Sequence, residues 1–237
     1  MARSKKSRSK NSVSPLQNGA VQVDIVSDVV CPWCWLGYRL FDKARKQARQ
    51  KIELTWRPYM LDPEVPAEGV DYKTYMKNKF GEGTDDTKNR FKAMREMLEE
   101  KGPDLGIDFA FDTITRRPNT LNAHRLIRWA QNNTDMGSEI SERLFKAFFT
   151  EGEDIGDIAV LARIGADVGL DADITADLLA TDKDANTVRE EILFFRNLGI
   201  SGVPTFIYNG QFAVQGAQDP NAHLKAISQA AKAGIPE

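Results

Sequence analysis

Apolar and polar residues alternate along Val21 to Val26 (VQVDIV), which predicts a short strand. A turn follows, and a helix is expected from Pro32 to about Gln50. In Lys51 to Tyr59 (KIELTWRPY), Ile52, Leu54 and Trp56 again alternate with polar residues and predict a second strand. Strand, helix, strand in this order forms a right-handed crossover with its strands parallel. Leu61 to Gly69 is a Pro- and Gly-punctuated loop, after which the period becomes helical to about Asp182. Tyr72, Tyr75, Met76 and Phe80 recur at helical spacing, as do Phe91, Met94, Met97 and Leu98. Gly102 to Pro118 is irregular, with Ile107, Phe109 and Phe111 at strand-like spacing. Asn119 or Thr120 can cap a helix to about Asn132, with Leu121, Ile127 and Ala130 on its inner face. Further helices are expected over Glu139 to Phe149, from Asp157 to near Gly169, and from Asp171 to near Ala180.

Towards the C-terminus strands return. A helix opening at Thr181 or Asp182 runs through Leu193, Phe194 and Leu198 to Gly199, a C-terminal glycine stop. Ile200 to Tyr208 reads as a strand, Asn209-Gly210 as a two-residue hairpin turn, and Gln211 to Gln215 as the returning strand. Asp219 caps a last helix through Leu224 and Ile227. The class is α/β. Residues 20–61 and 183–237 make up one unit, and residues 62–182 form a helical insertion between its halves.

Composition narrows the classes of partner. Residues 1–19 are polar and basic, with five Lys or Arg and no acid among the first ten, and are expected to be a disordered, solvated tail. A hydrophobic content of 41% over 237 residues is enough for a sizeable core. A formal net charge of −2 gives no reason to expect nucleic acid as a partner. No run of about twenty apolar residues exists to span a membrane, and the N-terminus lacks the apolar segment of a secretory signal. Two cysteines in so long a chain do not suggest a disulfide-stapled secreted scaffold. Together these favour the cytoplasm.

Those two cysteines, Cys31 and Cys34, carry the most specific chemical signal, because they sit three apart at the mouth of the first helix. A helix start leaves N–H groups unpaired and bears partial positive charge, so a sulfur at Cys31 is favoured as the nucleophilic thiolate. Pro32 fits the first helical turn, where its missing N–H is no loss. Cys34, one turn further in, can close a small disulfide, which implies that Cys31 attacks and Cys34 resolves the mixed disulfide. Three duller readings compete: two small buried hydrophobes, half of a zinc site, or a structural disulfide. Zinc would need partners, and only His124 and His223 are available, neither at ligand spacing.

The crossover with CxxC at its turn, and the ββα half with Val-Pro-Thr at its first strand, resemble a thioredoxin fold. The helical insertion resembles the DsbA family. More narrowly, SDVVCPWCWLG, WRPYMLDPEVPAEGVD, RPNTLNAHRLIRWA, FTEGEDIGD and GISGVPTFIYNGQFAVQGAQ are similar to the FrnE-type branch of that family, over about residues 21 to 230. The resemblance implies that Cys31 and Cys34 are the redox pair and that Pro204 is a cis-proline beside them. Val203 would then offer its N–H and C=O to an extended peptide or to glutathione. Trp33 is expected to be exposed between the cysteines as an apolar contact, and Trp35 to be core. Asp28 is a proton relay, a charge acting on Cys31, or a turn aspartate. His124 is structural or lines the cleft. Gln218 and Asp219 stand at a helix start suited to a glutathione carboxylate, although Asp219 also reads as an N-cap.

The implied activity is thiol–disulfide oxidoreductase or isomerase, with thiol or disulfide proteins or glutathione as partners and no metal, nucleotide or flavin. The architecture is compatible with a homodimer. One alternative is a glutathione-dependent isomerase or transferase of the 2-hydroxychromene-2-carboxylate isomerase or kappa type, which typically carries serine, not a cysteine pair, at the equivalent turn. A second is a non-enzymatic client-binding module using the Trp-rich cleft.

Overall fold

The computed structural model describes residues 19–81, 85–134 and 136–235. The expected basic tail therefore lies outside the described residues, apart from Gly19. Strand β1 (Val21–Ser27) pairs in parallel with β2 (Ile52–Pro58), in register from Val21 with Ile52 to Ser27 with Pro58. Helix α1 (Pro32–Gln47) makes the crossover. It ends short of Gln50, because Ala48 is extended (φ −68°, ψ 143°) and Lys51 already offers its carbonyl to Val21 N–H. Strands β5 (Thr205–Tyr208) and β6 (Phe212–Gln215) complete a sheet of order β2-β1-β5-β6, with β5 antiparallel to both neighbours. Strand β5 starts later than expected, since Pro204 has no N–H for a ladder. The hairpin loop is one residue longer than the predicted pair: Tyr208 faces Phe212, with positive φ at Asn209 (48°) and Gly210 (67°).

Alternate strand residues face two layers. Val23, Ile25 and Phe206 point into the main core, where Phe41 of α1 stacks on Phe206 at 5.3 Å. Helix α9 (Pro220–Ala233) packs beside α1, and the Asp219 carboxylate caps it by accepting from the N–H groups of Asn221 and Ala222. On the opposite face Val26 and Ile207 meet Phe195 of α8 (Ala185–Asn197). Helix α8 starts after Thr181 and Asp182, because Asp184 is left-handed (φ 60°) and its carboxylate accepts from Trp129 Nε1 at 2.9 Å. Leu193, Phe194 and Leu198 lie on its exposed side.

The insertion is not purely helical. Helix α2 (Tyr72–Met76), a π-helical turn at Lys77–Gly81, and α3 (Asp85–Lys101) come first. Helices α4 (Leu121–Asn133), α5 (Gly137–Phe149), α6 (Ile158–Asp167) and α7 (Ala172–Leu179) follow. Asp157 and Asp171 cap α6 and α7 as their sequence positions suggest, and Asn119 Oδ1 accepts from Leu121 N–H at the start of α4. The strand-like spacing of Ile107, Phe109 and Phe111 does not produce a strand. All three are buried, and a 3-10 turn occupies Phe111–Thr113. Their alternation comes from packing on one side against the aromatic core: Phe109 and Phe111 both meet Phe149 edge-on. The ladder in this region instead joins β3 (Val70–Asp71), at the expected start of the helical period, to β4 (Arg116–Arg117) in the stretch expected to be irregular.

One continuous cluster spans the sheet and the inserted helices. Trp35 of α1 is its bridge, buried as expected, stacked 6.0 Å from Phe145 and edge-on to Phe109 at 5.6 Å. The start of α1 is thereby held against α5 and the Phe109 segment.

Candidate active site

The chain leaves β1 through a tight turn in which Asp28 C=O accepts from Cys31 N–H at 3.0 Å. Cys31 is the N-cap of α1, extended at φ −102° and ψ 110°, with Pro32 following and no side chain capping the helix. The positive end of α1 therefore lies at the Cys31 sulfur. Both cysteines are free thiols, Cys31 only 5% exposed and Cys34 wholly buried. The Cys31 thiol donates to the carbonyl of Val203 at 3.7 Å, and the Val203–Pro204 bond is cis. Residues 172 apart in sequence thus meet at one sulfur.

Burial pushes the Cys34 thiol well above its ordinary pKa. Its hydrogen bond with Cys31 and the repulsion of charge on that sulfur push in the same direction, while the Ser27 hydroxyl and the Asp28 backbone oppose them. The pair is therefore asymmetric, with one sulfur at a helix end and the other protonated behind it.

A cavity of about 410 Å³ opens beside Cys31, between the cysteine turn and the inserted segment. Trp33 forms part of its wall; expected on the surface, it is half-buried, because the inserted helices cover that side. Tyr72, Phe80, Phe111 and Phe149 supply further apolar wall. Its polar corner escaped the sequence reading. Arg117, 6% exposed, donates to Val30 C=O at 3.2 Å and pairs with Asp62. Asp62 also takes Lys79 Nζ and, at 2.7 Å, the Tyr75 hydroxyl. Burial pushes Asp62 upward, but the bonds from Lys79, Tyr75 and Arg117 outweigh it and hold the carboxyl below its ordinary range.

Gly37 is a second residue the sequence reading missed. A Cβ there would lie 2.9 Å from Pro204 Cγ and 3.5 Å from the Ala217 side chain. A helix-interior glycine beside the cysteines was the available signal, since glycine there is unfavourable without a packing reason.

The other candidates fall elsewhere. His124 is buried on α4, its Nε2 2.8 Å from Tyr59 C=O and 3.5 Å from Asp28 Oδ1. Asp28 is fully buried and its Oδ2 accepts from Leu61 N–H at 2.8 Å, so the pair ties the ends of β1 and β2 to α4. His124 does not line the Cys31 cavity. Gln218 and Asp219 are exposed and do not line it either; Gln218 Nε2 donates to Gln215 C=O at 3.1 Å. Among the described residues no three His, Cys, Asp or Glu side chains cluster as a metal site requires.

Comparisons place this geometry among known proteins. The chain is 29% identical over 218 residues to the uncharacterized protein YwbO of Bacillus subtilis, covering 90% of this chain and 98% of that one. The probable DsbA oxidoreductase SCO1869 of Streptomyces coelicolor superposes with a TM-score of 0.80 at 25% identity, over 92% of each chain. A 2-hydroxychromene-2-carboxylate isomerase shares the fold at a TM-score of 0.65 and 14% identity, over 90% of this chain and 97% of that one. The fold alone therefore does not select the chemistry. The model of the DSBA-like thioredoxin domain matches residues 22–228, nearly the whole described chain, and the protein belongs to that family.

Proposed function

We propose that the protein is a thiol–disulfide oxidoreductase or isomerase in which Cys31 is the nucleophile and Cys34 the resolving thiol. The observation that carries this reading is the asymmetry of the pair: Cys31 sits at a helix N-terminus on a cavity wall, and Cys34 is wholly buried behind it. In the reducing direction Cys31 thiolate attacks a substrate disulfide, forms a mixed disulfide and releases one thiolate. Capping Cys31 removes the hydrogen bond and charge that help keep Cys34 protonated. Cys34 then loses its proton and attacks the Cys31 sulfur, releasing the second substrate thiol and leaving the Cys31–Cys34 disulfide. The oxidising direction is the reverse.

Val203, Pro204 and Trp33 position the substrate, the Val203 carbonyl exchanging its present Cys31 donor for a substrate N–H. His124, Gln218 and Asp219 act structurally through the partners already described. Thiols alone complete the cycle, with glutathione or a thiol protein resetting the pair. The location that fits is the cytoplasm, as the low cysteine content suggests; no helix among the described residues is long and apolar enough to cross a membrane.

The test is trapping. Cys34→Ser should accumulate a mixed disulfide with substrate on Cys31, visible by intact mass, and lose turnover. Cys31→Ser should form none. Turnover that survives Cys34→Ser with glutathione present would favour the isomerase alternative and overturn this assignment.

A further inference from the structure

The cavity beside Cys31 has a chemistry of its own. We infer that it binds a small disulfide or thiol with an apolar body and an anionic group, and that Arg117 and Lys79 hold the anion. This rests on the thiol–disulfide reading and adds the substrate class.

A volume of about 410 Å³ suits a small molecule, whose pockets run roughly 300–1,000 Å³. The walls are mainly aromatic. Among the described residues the charge is one-sided: four cations (Lys73, Lys79, Arg95 and Arg117) line the cavity against one carboxylate, Asp112, in a chain whose net charge is −2. Arg95 is neutralised by Glu99 and Asp112. Among the described residues Lys79 and Arg117 share one carboxylate, Asp62, so two cations meet one anion at that corner. Arg117 is 6% exposed, lies over the Tyr75 ring at 5.0 Å, and its buried Nε has no acceptor among the described residues. Asp62 meets the charge of Arg117, but a buried donor left without an acceptor is costly, and an oxygen of a bound anion would satisfy it. Guanidinium is suited to a carboxylate through paired N–H groups. Arg117 also holds the carbonyl of Val30, the residue before Cys31. An anion seated there is thus anchored beside the nucleophile.

The step balances as ordinary exchange. Cys31 thiolate forms a bond to one sulfur of the bound disulfide as its S–S bond breaks, and Cys34 displaces the second thiolate. The disulfide gains two electrons, the protein loses two, and the cysteine protons pass to the departing thiols or to water.

The experiment compares two aryl disulfides on the reduced full-length protein: dianionic 5,5′-dithiobis(2-nitrobenzoate) and neutral 4,4′-dithiodipyridine. Each rate is divided by the rate with free 2-mercaptoethanol at the same pH, which removes intrinsic reactivity; this thiol carries no charge beyond its thiolate. The normalised rate should favour the dianion by about tenfold, as one charge-assisted contact implies. The preference should shrink in Arg117→Gln and in Lys79→Gln; Lys79 is more exposed, so its variant keeps the test intact if Arg117→Gln fails to fold. A normalised preference near one, or one unchanged in Lys79→Gln, overturns the inference and leaves the redox reading standing. Reaction with both probes that is indifferent to Cys31→Ser overturns both.

Discussion

Acidification should destabilise the protein through His223, by an amount its surroundings set. The ring is fully buried on α9, edge-on to Phe206 at 4.6 Å and to Phe41 at 5.5 Å. Burial lowers its pKa to about 4, although the Asp219 charge and the Gln218 backbone pull it upward. The folded ring is therefore neutral at ordinary pH, and its Nδ1 accepts from the Tyr208 hydroxyl at 2.6 Å. The unfolded chain protonates this histidine near 6.5, so its contribution is fully present above that pH. It is lost as the pH falls toward about 4, where the loss levels off. At ~1.36 kcal/mol per pH unit the interval amounts to roughly 3 kcal/mol, of which about 2 kcal/mol is lost by pH 5. The assay is urea unfolding followed by tryptophan fluorescence at pH 8 and pH 5, on the parent and His223→Gln. Glutamine does not titrate, and its oxygen can accept from Tyr208. Carboxylates common to both proteins cancel, so the parent should lose about 2 kcal/mol more than the variant over this range. Equal losses would refute the reasoning, since the native ring would then be free to protonate.

Two further outcomes follow from packing. Gly37→Val should push Pro204 and Val203 away from the Cys31 sulfur, because even a Cβ at Gly37 falls 2.9 Å from Pro204 Cγ. Exchange should slow by about tenfold or more with the far-UV circular dichroism unchanged; a parental rate would show that the loop is not held there. Trp35→Ala removes the ring that joins α1 to Phe109, Phe145 and Phe149, and should cost about 3–5 kcal/mol in equilibrium unfolding. A loss below about 1 kcal/mol would mean that the insertion does not depend on this bridge.

Local signals made much of the fold legible. Alternation in VQVDIV and KIELTWRPY, a cap at Asp157 and at Asp171, and Asn209-Gly210 each act within a few residues, and each marks an element found near its expected place. Cys31 and Cys34 were equally visible because their relation is local. The misses depend on distant chain. Ile107, Phe109 and Phe111 alternate like a strand but have no partner strand, only an aromatic core on one side. Thr181 and Asp182 looked like helix starts, yet Trp129, more than fifty residues earlier, takes the Asp184 carboxylate and sets the turn. Arg117 was unreadable for the same reason. Its approach to Val30 and Asp62 requires the β3–β4 ribbon, and two residues per strand leave too short a pattern to recognise. Trp33 appeared exposed because a reading of its own turn cannot see the helices that cover it.

The most direct measurement is a redox titration of the Cys31–Cys34 pair in graded glutathione buffers, followed by tryptophan fluorescence with Cys31→Ser and Cys34→Ser as controls. The account predicts a single reversible two-electron transition that both replacements abolish. A midpoint above that of the glutathione pool would assign an oxidant or isomerase, and one below it a reductase. Absence of any reversible disulfide between Cys31 and Cys34 across the range would contradict the central claim.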